Sequence, residues 1–147
     1  MALAFKKQPA PLEHDEQKAL FDWAAMSCGK YRGLERLFAV PNGGHRLKAT
    51  AGKMKAEGAK AGVPDTCLPI PRGGYLGLYI EMKRRGCGGR ALGGRFQEQV
   101  DWQKFLVSQG YAVCTCYGWE EAAAAIKAYF SETLAMPDDG DCAFWGR

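Results

Sequence analysis

The fold turns on PDTCLPIPRGGYLGLYIEMK, residues Pro64–Lys83. Two β-prone runs, 66–70 and 75–83, flank the turn residues Pro71, Arg72, Gly73 and Gly74, and together they predict a hairpin. The second run alternates: Leu78, Ile80 and Met82 fall on one face, Tyr79, Glu81 and Lys83 on the other. Asp65 opens the first run. Pairing of the two strands therefore brings Asp65 beside Glu81 and Lys83 at one end of a sheet.

The flanks supply the remaining elements. Helical periodicity begins near Leu12, places Leu20, Trp23 and Ala24 on one face, and stops at Gly29. A short apolar run from Leu37 to Val40 ends at Pro41 and Asn42 and reads as a strand entering a turn. Residues 45–62 are small and basic and hold at most a short helix at Lys53–Glu57. After the hairpin, residues 84–95 contain five glycines and four arginines and read as a basic loop. A helix is expected over 96–109, stopped by Gly110, then a strand over 111–116 and a last helix over 119–130. The order predicts one mixed α/β domain over 12–130, a small mixed sheet flanked by helices. Residues 1–11 are expected to be a flexible arm, and 131–147 an acidic tail that frays unless Phe144 and Trp145 dock.

The chain's 147 residues suit a single domain. Hydrophobic residues at 47% and charged residues at 24% exclude a disordered or fibrous protein. No apolar run approaches about 20 residues, so no membrane span is expected. The lysines at 6 and 7 follow too short an apolar stretch for a secretory signal. A cytoplasmic setting, in a bacterial or phage-infected host cell, is therefore expected. Six cysteines (Cys28, Cys67, Cys87, Cys114, Cys116 and Cys142) are read as free thiols of a reducing compartment. Cys114 and Cys116 share a strand face and are expected to be buried there, because no further ligands stand at zinc spacing.

Charge is segregated. Residues 118–147 hold six acids and two bases, whereas 1–117 hold ten acids and eighteen bases. Arg46, Lys48, Lys53, Lys55 and Lys60 form one basic cluster, and Lys83, Arg84, Arg85, Arg90 and Arg95 a second. Both are candidate phosphate contacts, with a solvated surface as the alternative.

The chemistry follows from Asp65, Glu81 and Lys83. Two carboxylates can hold a hard divalent cation such as Mg²⁺ and leave room for water and phosphate. The cation offsets the charge that builds on a phosphodiester during hydrolysis. The lysine can orient or deprotonate the attacking water, or neutralise phosphate. His14 and His45 alone make a histidine-based hydrolase less attractive, and there is no P-loop, G-x-G-x-x-G or G-x-S-x-G. The competing reading is that Glu81 and Lys83 form an ordinary strand-face ion pair.

Taken together, the motifs resemble the VRR-NUC branch of the PD-(D/E)xK nuclease superfamily, in particular its small stand-alone members from phages and bacteria. The resemblance rests on the run from Glu13 to Gln17 (EHDEQ), on Val40 to Gly44 (VPNGG) with Arg46, and on Gly58 to Asp65 (GAKAGVPD). It continues through Ile80 to Lys83 (IEMK), Gln99 to Trp102 (QVDW) and Gly110 to Val113 (GYAV). It departs at Gly94, Arg95 and Phe96, where the family often starts its helix with a Ser-Pro-like pair, and this puts that helix start in question.

The resemblance implies a restriction-endonuclease-like αβββαβ core and an Mg²⁺- or Mn²⁺-dependent endodeoxyribonuclease. It implies that Asp65 and Glu81 bind metal, that the carbonyl of Met82 joins them, that Lys83 is catalytic and that Gln99 supports the site. It also implies an acidic residue on the first helix. Glu13 is favoured by its spacing to Gln17, with Glu16 as rival because it shares a face with Leu20 and Trp23. The segment from Asn42 to Gly62 is expected to face DNA. Stand-alone members act as homodimeric Holliday-junction resolvases, so a branched four-way junction is the expected partner, with flaps, ends or plain duplex as alternatives. Phe38, Trp102, Phe105 and the last helix are candidate dimer surfaces, although core positions suit each better. A non-catalytic nucleic-acid-binding protein on the same fold is the alternative from another class.

Overall fold

The structure is a computed structural model that describes residues 9–41, 48–86 and 96–135. Its elements run α1 (Glu13–Ser27), a 3-10 turn at Leu34–Arg36, β1 (Phe38–Ala39), α2 (Lys48–Ala56), β2 (Thr66–Leu68), β3 (Leu78–Lys83), α3 (Phe96–Ser108), β4 (Ala112–Tyr117) and α4 (Trp119–Phe130). The four strands lie in sequence order across one sheet. β1, β2 and β3 pair antiparallel, and β3 pairs parallel with β4. Helix, three strands, helix, strand is the αβββαβ order of restriction-endonuclease-like folds, with α2 inserted between β1 and β2.

The alternation of β3 sorts the two faces of the sheet. Leu78, Ile80 and Met82 meet Leu68, Ala112, Cys114 and Cys116 in the main core, where α1 adds Leu20 and Ala24 and α4 adds Ala122, Ala125, Ile126 and Tyr129. The small alanines of α4 let that helix approach the sheet closely. On the opposite face α3 lies over β4 and turns Gln99, Gln103 and Leu106 toward the strands. Cys114 and Cys116 are buried free thiols, and burial pushes the Cys114 thiol up to about 12, which leaves it inert at neutral pH. Cys87 and Cys142 lie outside the described residues. No helix among the described residues is long and apolar enough to cross a membrane.

Several expectations are revised. The helix expected at Lys53–Glu57 runs instead over Lys48–Ala56; Gly52 within it had disguised a lysine- and alanine-rich stretch of good helix formers. Phe38 and Phe105 are not core residues, being 48% and 54% exposed, whereas the last helix does lie in the core. The inner end of the N-terminal arm is held: Arg84 donates to the Ala10 carbonyl at 2.6 and 3.2 Å. Just beyond α4, Leu134 returns to the core and is buried.

Candidate active site

Asp65 and Glu81 meet because β2 and β3 pair in the register Thr66 to Ile80, which sets the next residues opposite each other where β2 begins. Asp65 Oδ2 accepts the Met82 N–H at 2.7 Å. Within a strand the N–H and C=O of one residue point to the same edge. The Met82 carbonyl therefore also points toward Asp65, past the start of β2.

Glu81 and Lys83 share the other face of β3 with Gln99 of α3 above them. Lys83 Nζ donates to Glu81 Oε1 at 2.9 Å and to Gln99 Oε1 at 3.0 Å, and Gln99 Nε2 donates to Glu81 Oε1 at 2.8 Å. The triangle is closed, with Glu81 at 3% and Lys83 at 7% exposure and Gln99 half-buried. All its bonds to Glu81 fall on Oε1. Oε2 is buried and has no hydrogen-bond partner among the described residues. Burial pushes the Glu81 carboxyl up from 4.5 to about 7; the charge of Asp65 adds to the rise, Lys83 opposes it, and Glu13 adds a smaller rise.

Gln99 is placed by a close approach. The loop before β2 passes the first turn of α3 at Gly62, where a Cβ would stand 2.6 Å from the backbone carbon of Glu98. Gly62 also has a φ of +85°, a conformation that favours glycine. Two further residues belong to this face and carry no motif. Thr115 pairs with Glu81 in the β3–β4 register, and Gln103, one turn along from Gln99, donates to Thr115 Oγ1 at 3.3 Å. The spacing of Gln99 and Gln103 was their only trace in the sequence.

The first helix separates its two candidates. Glu13 is exposed in the first turn, and its charge is felt at Glu81. Glu16 is 2% exposed and engaged elsewhere. It pairs with Arg85 Nε at 2.9 Å and accepts the Trp119 N–H at 2.9 Å.

The basic residues divide as well. Arg84 and Arg85, expected on DNA, have internal partners: the Ala10 carbonyl for the first, Glu16 and Glu120 for the second. Lys53 makes a 4.0 Å pair with Glu57 one turn away, and Lys55 and Lys60 are exposed. Asn42, Arg46, Arg90, Arg95 and the side chain of Lys48 lie outside the described residues.

A divalent cation suits this donor set. An unpartnered buried carboxylate oxygen, a second carboxylate and a backbone carbonyl belong to one end of the sheet, and all are hard oxygen donors. Among the described residues no three carboxylate, thiol or imidazole side chains are close enough to hold a metal by themselves. The remaining coordination would fall to water and phosphate, as Mg²⁺ favours.

No protein-family model matches the chain, and no curated protein matches it. A solved structure described as "VRR_NUC domain protein" is similar to it, with 24% identity and a TM-score of 0.64 over 92% of this chain and 99% of that one. Across nearly its full length, the chain has the fold of that VRR_NUC domain protein.

Proposed function

We propose that this chain is a nuclease of the VRR-NUC family, a metal-dependent endodeoxyribonuclease that hydrolyses phosphodiester bonds in branched DNA, acting as a homodimer on four-way junctions in the cytoplasm. The observation that carries the reading is Glu81: one oxygen is fixed by Lys83 and Gln99 while the other is buried, unpartnered and beside Asp65. Such an arrangement costs stability unless a cation completes it.

Asp65, Glu81 Oε2 and the Met82 carbonyl would hold Mg²⁺ or Mn²⁺, and Glu13, too far to join them directly, would complete the site from α1 through a coordinated water. The cation, when bound, offsets the negative charge that builds on the scissile phosphate and makes water a better nucleophile at neutral pH. Two of the three ammonium hydrogens of Lys83 are committed to Glu81 and Gln99, and the third is available to orient the attacking water or to meet a phosphate oxygen. Gln99 holds Glu81 and Lys83 in mutual register. Lys55 and Lys60, with the candidate contacts Asn42, Arg46, Lys48, Arg90 and Arg95, supply backbone contacts that carry no base sequence.

The test is incubation of the purified chain with a labelled immobile four-way junction, a flap and plain duplex, each with Mg²⁺, Mn²⁺ or EDTA. Metal-dependent paired nicks near the junction centre are expected. Cutting confined to flaps, ends or plain duplex would keep the nuclease and reject the junction. Binding without cutting in either metal would reject the catalytic reading.

A further inference from the structure

The tie at Glu16 is unusual for a surface helix. At about 100° per residue, Glu13 falls between Leu20 and Ala24 on the helical wheel of α1, with Glu16 at the edge of the same stripe. Glu16, Leu20 and Ala24 are the buried residues of α1. Glu13 continues their stripe one turn further, beyond the packed contact. It is exposed there, near enough to Glu81 for its charge to act on that carboxyl. Leu20 and Ala24 anchor the middle of α1 in the core, and Glu16 is the buried residue of its first turn, so the seat of that turn depends on Glu16.

The grip on Glu16 comes from two distant elements. Arg85, just past β3, donates Nη2 to Oε2 at 3.4 Å and sets Nε 2.9 Å from Oε1 as an ion pair without hydrogen-bond geometry. The first N–H of α4 donates to Oε2, so the carboxylate also meets the positive end of that helix. Gly118 makes room for this arrangement, because a Cβ there would stand 2.5 Å from Arg85 Nε. Glu120 holds the outer side of the same guanidinium.

We propose that Glu16 is a positioning residue: clamped by Arg85 and the first N–H of α4, it fixes the first turn of α1 and so holds Glu13 toward the end of the sheet where Asp65 and Glu81 lie. This rests on the reading of that end as a metal-dependent site. Side-chain ends lie about 5–6 Å from a helix axis, so a rotation of about 20° moves the Glu13 carboxylate by about 2 Å. A displacement of about 1 Å in a catalytic group can already cost about 100-fold.

The experiment is a double-mutant cycle in the full-length chain. Mn²⁺ binding is read by titration calorimetry and junction cleavage is read in parallel, for Glu13→Gln, Glu16→Gln, the double variant, Arg85→Gln and Asp65→Asn. Each single change at 13 and 16 is expected to weaken Mn²⁺ binding by about tenfold. The double variant should bind no more weakly than the worse single one, because residue 16 acts through residue 13. Losses that multiply would overturn the clamp, as would a folded Glu16→Gln chain with unchanged Mn²⁺ affinity. If Glu16→Gln fails to fold, Arg85→Gln decides, since it leaves Glu16 on the Trp119 N–H: weakened Mn²⁺ binding supports the clamp, and unchanged binding rejects it. If Asp65→Asn and Glu13→Gln both leave Mn²⁺ binding and cleavage intact, the site itself is misread and the clamp falls with it. If they matter while the cycle is additive, the clamp alone falls.

Discussion

Replacing Glu81 by glutamine should make the metal-free protein more stable, and the gain should depend on pH. Glu81 is almost wholly buried, and its carboxyl is pushed from 4.5 to about 7, first by burial and then by the charge of Asp65, against the pull of Lys83. Between those two values the folded chain binds a proton that the unfolded chain has released. Its contribution is complete below about 4.5 and is lost as pH rises through about 7. At about 1.4 kcal/mol per pH unit, the ionised carboxylate costs about 3 kcal/mol at pH 8. Glutamine keeps an oxygen for Lys83 and Gln99 and removes that cost. In EDTA, Glu81→Gln should therefore melt higher than the parent by about 10 °C at pH 8. The difference should shrink toward zero near pH 5. Saturating Mn²⁺, at about 100 times its dissociation constant, should restore about 2.7 kcal/mol to the parent and little to the variant. Thermal melts followed by circular dichroism at pH 5 to 8, with EDTA or Mn²⁺, measure both effects. A variant no more stable than its parent at pH 8, or a gap that does not narrow on acidification, would refute the view that Glu81 is held at a cost in stability for a cation.

Lys83→Ala should lower cleavage by about 100- to 1000-fold while junction binding in a gel-shift assay is largely retained, because the ammonium acts on the reacting phosphate more than on the bound duplex. Asp65→Ala should abolish cleavage and also weaken Mn²⁺ binding; cleavage by either variant at the parental rate would reject these roles. Gly62→Ala should destabilise the fold by at least about 2 kcal/mol in urea titrations, since its Cβ would collide with the Glu98 backbone at a positive φ, and the surviving folded protein should cleave more slowly because Gln99 is displaced. Lys55→Gln and Lys60→Gln should each reduce the slope of log affinity against log salt by about 0.9, measured by fluorescence anisotropy with a labelled junction.

The sequence made β3 legible because a strand with one wet and one dry face writes its period directly: Leu78, Ile80 and Met82 alternate with Tyr79, Glu81 and Lys83, and the structure keeps both sets apart. Asp65 joined them through a single local hairpin, its bond to the Met82 N–H spanning 17 residues, so the contact lay within reach of the pattern. α2 was half hidden because Gly52 and the lysines around it speak equally for loop and helix. The two arginines after Lys83 have partners inside the fold that the sequence did not announce, for a different reason. A basic residue beside a site looks like a DNA contact when only neighbours in sequence are visible, but the partners of Arg84 and Arg85 lie 74, 69 and 35 residues away. Glu16 shows the same limit from the other side. Its spacing to Leu20 placed it on the inward stripe of α1, and an inward carboxylate in a nuclease-like sequence invites a metal. What engages it instead is a backbone N–H 103 residues downstream and an arginine beyond β3. A buried charge is defined by what neutralises it, and that group comes from the tertiary fold. Two acids one turn apart on α1 can therefore share a local pattern while one stays exposed and the other is buried against an arginine and a helix N-terminus from elsewhere in the chain.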